Sequence, residues 1–178
     1  IVVTDKLGQV QKIKIRSDIQ RHEWDFDNLE TDGNFKNYVE ADGSRKRTGI
    51  DVSEHQGEIN WKKVSQTVDF AIIRVGARGY GQSGKLLVDD YYRENIEAAQ
   101  DAGLMVGVYF FSQAIDPVEA YAEAAYTLEL IEGYDLDLPV FMDYEFASDK
   151  NNPGRLNTAQ LSKIKMTENA EMFLETIE

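Results

Sequence analysis

The sequence of 178 residues contains no cysteine, only two histidines and only three prolines. Without cysteine the chain cannot form a disulfide or a thiolate metal site, and the compartment in which it works stays open. His22 and His55 alone cannot build a multi-histidine metal centre, although carboxylates can still bind Ca²⁺ or Mg²⁺. No apolar run approaches the roughly 18 residues of a membrane span, and no basic-then-apolar export signal opens the chain. We therefore expect no cofactor and no insertion into a membrane.

Negative charge is concentrated in the second part of the chain, which has a formal net charge of −13. Residues 1–48 contain nine acids and nine Lys or Arg, whereas residues 49–178 contain 23 acids and 10 Lys or Arg. Nucleic acids and anionic membranes are bound through cationic contacts, so this acidic part argues against both as partners. With 42% apolar residues, the chain can still bury a core.

Residues 1–48 have the pattern of small β-hairpins. Residues 9–16 alternate polar and apolar side chains, as a half-exposed strand does. Asp-Gly turn signals at 32–34 and 42–44 flank a further short strand. We interpret this region as a β-rich N-terminal extension or linker, either the tail of a preceding module or a tether.

From residue 49 onward, apolar runs typical of strands alternate with helical patterns. Strands are predicted at 48–52, 70–75, 105–111 and 138–142, and helices at 59–64, 91–102, 117–131 and 158–178. This alternation predicts an α/β fold with a parallel sheet and right-handed crossovers. Four such units supply half of an eight-stranded barrel, so we expect the chain to end before its domain does.

Two carboxylates, Asp143 and Glu145, follow the last predicted strand. Residues i and i+2 of a strand project from the same face, with Cβ atoms roughly 6–7 Å apart. Strand carboxyl ends are where α/β proteins place their chemistry. Two acids at one point in space are what the cleavage of a glycosidic bond needs, one to protonate the leaving oxygen and one to stabilise positive charge on the sugar.

A third acid, Asp51, ends the first predicted strand and faces the same edge if the sheet is parallel. It precedes a loop in which Ser53 is predicted to cap a turn and Gly57 to supply a positive φ. A turn or cap role for Asp51 is equally open on local grounds. His55 is interpreted as a hydrogen-bonded loop residue.

Several segments taken together resemble the glycoside hydrolase family 25 lysozymes, the Chalaropsis-type N-acetylmuramidases. They are GIDVSEHQG at 49–57, NW at 60–61, DFAIIRVG at 69–76, GVYFFS at 107–112 and PVFMDYE at 139–145. The resemblance covers about residues 49–178 and implies an irregular, TIM-like β/α barrel. It also implies hydrolysis of the β-1,4 bond from N-acetylmuramic acid to N-acetylglucosamine in bacterial peptidoglycan. An extracellular or cell-wall location and a monomer are further expectations, with any export signal removed upstream of Ile1.

The resemblance also assigns roles to residues. Glu145 matches the general acid of the family, Asp143 its partner carboxylate and Asp51 the acid on the first strand. Tyr109 occupies a position that the family uses for the acetamido group or for stacking on a sugar. Two further substrate-binding residues are predicted from the chain itself. Arg74 is expected to pair with the catalytic acids, because a buried arginine needs a carboxylate, and Tyr80 lies in a glycine-rich loop at 76–84 that is expected to line the cleft.

The predicted chemistry requires a protonated Glu145 beside an ionised Asp143. Like charge from Asp143 and Asp51, together with burial, is expected to favour the protonated acid. The preferred route has the 2-acetamido group of the substrate attack the anomeric carbon while Asp143 stabilises the oxazolinium ion, which gives retention. The competing route has Asp51 or Asp143 activate water, which gives inversion.

Two other functions remain open from sequence. The same fold can serve as a non-catalytic cell-wall glycan-binding module. A carbohydrate esterase or deacetylase would need a metal, which two scattered histidines do not favour.

Overall fold

Two antiparallel hairpins precede residue 47 in the computed structural model, which describes residues 2–4, 10–12 and 24–178 of the chain. The first pairs β1 (Val2–Thr4) with β2 (Val10–Lys12), and the second pairs β3 (Leu29–Asp32) with β4 (Phe35–Tyr38). Gly33, at a φ of +58°, lies in the predicted turn of the second hairpin. The predicted hairpins are confirmed, while residues 9 and 13–16 of the predicted strand lie outside the described residues.

The chain divides into two units, Ile1–Lys46 and Arg47–Glu178. The division falls close to the predicted boundary between residues 48 and 49. The assignment of the first unit as an extension or linker, and of the second as a catalytic domain, stays a prediction.

A five-stranded, mostly parallel sheet forms the centre of the second unit. Its strands are β5 (Gly49–Val52), β6 (Phe70–Arg78), β7 (Leu86–Val88), β8 (Met105–Ser112) and β9 (Val140–Tyr144). β5, β6, β8 and β9 pair in that order and in parallel, as predicted. The loop predicted at 76–84 is shorter than expected, because β6 continues to Arg78, and an unpredicted strand, β7, then pairs with it in the antiparallel direction. The reversal occurs in a tight turn, in which the Gly79 N–H donates to Lys85 O and Gly84 has a φ of +52°.

Five α-helices of the described residues connect and flank the strands: α1 (Trp61–Val64), α2 (Tyr92–Asp101), α3 (Pro117–Ile131), α4 (Arg155–Ala159) and α5 (Lys163–Ile177). The first three agree with the sequence predictions, with Pro117 in the first turn of α3 and Gly103 at a φ of +81° after α2. The helical stretch predicted at about 158–178 is confirmed over α5, but the structure has a separate helix, α4, before it. Gln160 adopts the left-handed conformation and ends α4, and Ser162 then caps α5 through the Lys165 N–H.

The helices cover one face of the sheet. α2 and α3 pack on β6 and β8, and α5 packs on β9 and α3. The strand side chains on this face are fully buried: Ala71, Ile73, Val75, Val106, Val108 and Phe110. Phe110 contacts Phe173 of α5, and each such buried side chain stabilises the fold by about 1.5–3 kcal/mol. Trp61 of α1 is also buried, and its Nε1 donates to Asn95 Oδ1 at 3.1 Å.

The other face of the sheet carries side chains that stay partly accessible. Asp51, Ile72, Tyr109, Phe141 and Asp143, one or more from each of the four parallel strands, line a recess of about 320 Å³. β5 and β9 are the edges of the sheet within residues 24–178. The described strands therefore form an open α/β sheet, and closure into a barrel stays a prediction.

Candidate active site

One cleft of about 470 Å³ lies at the carboxyl ends of the parallel strands. This is the edge at which parallel sheets place their binding and catalytic groups. All six residues that the sequence analysis singled out line it, namely Asp51, Arg74, Tyr80, Tyr109, Asp143 and Glu145. The structure therefore brings together groups that lie up to 94 positions apart in the chain.

Three carboxylates meet in the cleft, and their surroundings differ. Asp51 near the end of β5 is exposed, Asp143 on β9 is half-buried, and Glu145 just past the end of β9 is exposed. Burial raises the pKa of the Asp143 carboxyl, and the negative charges of Glu145 and Asp51 raise it further. The burial that we expected around Glu145 thus falls on Asp143 instead. The reason is that β9 still pairs with β8 at Asp143, whereas Glu145 lies beyond the strand.

Arg74 of β6 has different partners from the predicted ones. Its Nε donates to Asp89 Oδ2 at 2.8 Å, and its Nη2 lies 3.0 Å from Glu54 Oε1. The expected direct pairing with the catalytic acids was therefore wrong. Arg74 nevertheless lowers the pKa of Asp143, against the effect of burial. The positive charge of Arg74 therefore acts on the carboxylate cluster.

Asp89 and Glu54 also join two loops to one another behind Arg74. Fully buried Asp89 accepts hydrogen bonds from the N–H groups of Glu54 and Tyr91, at 2.8 and 3.1 Å. Glu54 in turn accepts one from the Asp90 N–H at 3.2 Å. The loop after β5 and the segment after β7 are thus fixed to each other, and the guanidinium of Arg74 is held between them.

The loop after β5 has the local structure that its sequence predicts. Ser53 caps a 3₁₀ turn at Glu54–Gln56, and the Gln56 side chain reciprocally accepts the Ser53 N–H at 2.8 Å. Gly57 follows with a φ of +60°, as expected. His55 lines the cleft beside this turn.

Tyr109 of β8 is half-buried between the acids and Arg74. Burial raises the pKa of its phenol to about 12, and the charges of Asp51 and Asp143 act in the same direction, while Arg74 and a hydrogen bond with Ser53 oppose them. The hydroxyl therefore stays protonated at physiological pH. It is a neutral hydrogen-bond donor placed among charged groups.

Tyr80 lies in the turn between β6 and β7, which was predicted to line the cleft. Gly79 and Tyr80 both do so. The Tyr80 hydroxyl donates to Asp149 Oδ2 at 3.0 Å, and the Tyr80 carbonyl accepts from the Arg155 N–H at 2.9 Å. The turn is thereby attached to the segment that follows β9.

Tyr144 ends β9 and lies between Asp143 and Glu145 in the chain. It is half-buried, its hydroxyl donates to Ala114 O at 2.5 Å, and it accepts from Asn169 Nδ2 at 3.0 Å. Tyr144 thus attaches β9 to α5 on the side that the helices cover.

Comparison with protein families decides what kind of chain this is. The sequence profile of glycosyl hydrolases family 25 matches residues 50–178. The chain belongs to this family. The resemblance stated from the motifs is confirmed, and the match contains all six cleft residues considered above.

Characterised and uncharacterised relatives of this family 25 chain match only part of it. The uncharacterized protein YegX of Escherichia coli strain K12 is 31% identical over 116 residues, which are 65% of this chain and 39% of that protein. The autolytic lysozyme of Clostridium acetobutylicum is 29% identical over 98 residues, which are 54% of this chain and 28% of that protein. The chain thus spans less than half the length of either relative.

Solved structures include proteins with the same fold. The bacterial lysozyme from Streptomyces coelicolor superposes with a TM-score of 0.54 at 26% identity, over 72% of this chain and 56% of that one. This likeness agrees with the α/β sheet described above.

The partners of Arg74 were not predicted, because they lie on segments that give little local signal. Asp89 follows β7, a strand of only three residues, and Glu54 was read only as part of a capped turn. The one available signal was the adjacent pair Asp89 and Asp90 just before α2.

The part of the family 25 chain that the structure describes has neither a metal-binding cluster nor a membrane-spanning helix. No group of three or more His, Cys, Asp or Glu side chains there is arranged to hold a metal ion. No described helix is both long enough and apolar enough to cross a membrane.

Proposed function

We propose that this chain is a peptidoglycan hydrolase of the lysozyme type. It cleaves the β-1,4 bond between N-acetylmuramic acid and N-acetylglucosamine in bacterial cell walls. The observation that carries this proposal is the meeting of Asp51, Asp143 and Glu145 in one cleft at the carboxyl edge of a parallel sheet. Family membership and the similarity to an autolytic lysozyme support it.

Glu145 is the general acid in this proposal. It lies beyond the end of β9, its side chain is exposed in the cleft, and it is one methylene longer than Asp143. It can therefore reach a glycosidic oxygen that lies above the sheet edge. A positioned general acid typically contributes about 10²–10⁴-fold to the rate.

Asp143 is the partner carboxylate, and its raised pKa suits that role. A carboxylate with a raised pKa is a better proton acceptor than a free aspartate. It can accept a hydrogen bond from the N–H of a 2-acetamido group while the carbonyl oxygen of that group attacks the anomeric carbon. The positive oxazolinium ion then forms beside a negative side chain, which lowers the barrier.

Asp51, Arg74, Tyr109 and Tyr80 complete the substrate site in this proposal. Asp51 adds a negative charge on the β5 side of the cleft, and Arg74 places a positive charge beside the three carboxylates. The Tyr109 hydroxyl, protonated over the physiological range, donates to the acetamido oxygen. Tyr80 at the turn between β6 and β7 offers a ring on which a sugar can stack.

The route through the acetamido group predicts retention of configuration. NMR of the first anomer released gives the β-anomer if this route operates, and the α-anomer if Asp51 or Asp143 activates water directly.

The barrel and the location of the protein also belong to the proposal. The open sheet has an accessible face and two unpaired edges within residues 24–178. We propose that it is part of an irregular β/α barrel of the family type, working as a monomer outside the cell or at the cell wall, with peptidoglycan glycan strands as its partner.

Mass spectrometry of the products from purified peptidoglycan tests the function. The chain is compared with Glu145→Gln and with the matched control Glu175→Gln, an exposed residue of α5 that does not line the cleft. We expect fragments with muramic acid at the new reducing end, unchanged in the control and reduced about 10²–10⁴-fold in Glu145→Gln.

Other products would contradict the proposal. Fragments with N-acetylglucosamine at the reducing end would assign a different bond, and release of acetate would indicate a deacetylase. Wall that is bound but not cut would make the cleft a glycan-binding groove.

A further inference from the structure

The pairing of β8 with β9 is extended by a side chain beyond the end of both strands. The parallel ladder runs from Val108 and Val140 to Ser112 and Tyr144. The next residues along the chain are Gln113 and Glu145. The Gln113 Nε2 donates to the Glu145 carbonyl at 2.6 Å and to the Ser112 carbonyl at 2.9 Å. The side-chain amide thus takes the place that a backbone hydrogen bond would have if the ladder continued.

The orientation of this amide follows from its surroundings. Both groups that face Nε2 are carbonyl oxygens, which only accept hydrogen bonds, so the NH₂ end must point at them. The Gln113 side chain is fully buried, and its Oε1 is buried without a hydrogen-bond partner in the described part of the chain. An unsatisfied buried carbonyl typically costs about 1–3 kcal/mol. Core packing alone would be served better by an apolar residue of the same volume.

Gln113 is itself held at both ends of its backbone by charged groups. Its N–H donates to Glu123 Oε1 at 3.3 Å, and its carbonyl accepts from Arg155 Nη1 at 3.2 Å. Charge-assisted hydrogen bonds of this kind are stronger than neutral ones. The group that reaches Glu145 is therefore fixed to α3 on one side and to α4 on the other.

Each of the two charged groups is paired with a side chain of opposite sign. Glu123 is fully buried and accepts from Arg78 Nε at 2.6 Å and from Ser112 Oγ at 2.5 Å. Arg155 binds both carboxylate oxygens of Glu119, at 2.7 and 2.9 Å. The two ion pairs enclose Gln113 between them, so its freedom to move is small.

We infer that Gln113 is a positioning residue for Glu145 and acts through the Glu145 backbone. The inference rests on the proposed function, in which Glu145 is the general acid. Glu145 follows the last residue of β9, so no ladder hydrogen bond fixes its carbonyl, and its exposed side chain projects into the cleft. Gln113 replaces that missing constraint. A displacement of about 1 Å at a catalytic group can cost about 100-fold in rate, which makes such a constraint effective.

The test separates positioning of the acid from general stability by comparing two leaving groups. Gln113→Met keeps the volume of the side chain and removes both donors. The two substrates are a glycan oligosaccharide, whose sugar leaving group needs protonation, and the matching nitrophenyl glycoside, whose leaving group departs without it. Because both are measured on the same preparation, the ratio of the two kcat/KM values does not depend on the fraction of protein that is folded.

We expect Gln113→Met to lower kcat on the oligosaccharide about 10–100-fold, with KM unchanged and with less than about 3-fold loss on the nitrophenyl glycoside. Glu145→Gln shifts the ratio in the same direction and further. The control is Thr127→Val, which removes a buried hydroxyl that donates at 2.8 Å to the backbone carbonyl of Glu123 and not to the Glu123 carboxylate that holds Gln113; it leaves the ratio at the wild-type value.

If the wild-type chain is active and Gln113→Met loses the same activity on both substrates, the inference is overturned. A wild-type chain that cleaves neither substrate would overturn the proposed function, and the role of Gln113 with it. The two failures are thereby distinguished by the wild-type activity.

Discussion

Two arginines of the same strand, Arg74 and Arg78, meet carboxylates in different parts of the molecule. Arg74 contacts buried Asp89 and partly exposed Glu54 in the cleft. Arg78 contacts buried Glu123 of α3 at 2.6 Å and also donates to the carbonyls of Gly84 and Glu119, at 2.7 and 3.0 Å. The first cluster lies where its charge acts on Asp143, and the second attaches α3 to the sheet.

An irregularity of β6 explains why residues four positions apart reach different partners. Side chains of a regular strand alternate between faces, so Arg74 and Arg78 would lie on the same face. The register of β6 against β8 shifts between Arg74 and Gly76. Before the shift, the odd-numbered Ala71 and Ile73 are buried; after it, the even-numbered Gly76 and Arg78 are buried and Ala77 is partly exposed. The shift thus turns Arg78 toward α3.

The comparison shows that an arginine–carboxylate pair does not by itself indicate whether it stabilises the fold or sets the charge of the active site. Removing one partner of a fully buried pair leaves an uncompensated charge in the core. Asp89 is as buried as Glu123, but it keeps two backbone N–H donors when Arg74 is removed, and Glu54 is partly exposed. The following changes test this distinction.

The largest effect on stability is expected from Glu123→Ala. The change leaves Arg78 buried without its carboxylate, so the free energy of unfolding should fall by about 3–5 kcal/mol. Urea-induced unfolding followed by circular dichroism measures it. Glu129→Ala, an exposed position on the same helix, is the matched control and should change stability little. A loss below about 1 kcal/mol in Glu123→Ala would show that α3 does not depend on this pair.

A smaller cost in stability but a clear loss of activity is expected from Arg74→Met. Asp89 keeps two backbone N–H donors and Glu54 is partly exposed, so the free energy of unfolding should fall by about 1–3 kcal/mol. Hydrolysis of peptidoglycan should fall about 10-fold or more, because the carboxylate cluster loses its nearby positive charge. The control is Arg93→Met on the exposed side of α2. Full activity in Arg74→Met would make its role purely structural.

The smallest effect is a pH-dependent gain in stability from Asp143→Asn. The pKa of Asp143 is raised in the folded state above its ordinary value of 3.8 by burial and by Glu145 and Asp51, although Arg74 opposes this. Folding therefore favours the protonated form, and the wild type loses stability as pH rises from 3.8 through the folded pKa. Asparagine carries no charge at any pH. Asp143→Asn should thus be the more stable protein at about pH 7, and the difference should vanish near about pH 3.

Thermal unfolding of both proteins at the two pH values checks this expectation, with the exposed residue Asp101→Asn as the control for replacing an acid by an amide. A gain that is the same at both pH values would mean that the charge of Asp143 is not its cause.

Much of the site was predictable because its signals are local. The apolar runs before Asp51 and Asp143 marked strands, and alternation with helices marked the sheet as parallel, which brings strand carboxyl ends to one edge. The turn at Ser53–Gly57 was readable for the same reason. The antiparallel β7 was missed because three residues are too few to show a period.

Local sequence pattern led to wrong predictions where the burial and the partners of a side chain depend on distant residues. Burial was predicted around Glu145, yet Asp143 is the half-buried carboxyl, since the pairing of β9 with β8 ends at Tyr144. Arg74 was predicted to pair with the catalytic acids, but it contacts Asp89, which lies fifteen residues further along the chain.

By itself, the sequence determined the order of the four parallel strands and of the helices between them, the family, and the edge of the sheet at which Asp51, Asp143 and Glu145 meet. These depend on side-chain periodicity over a few residues and on the rule that parallel strands share a direction. Only the tertiary structure decided which carboxylate each arginine contacts and which residue holds Glu145. Those contacts join Arg78 to Glu123, 45 residues apart, and Gln113 to Glu145, 32 residues apart. They depend on a one-residue register shift in β6 and on the packing of side chains that lie far apart in the chain. No local sequence pattern contains this information.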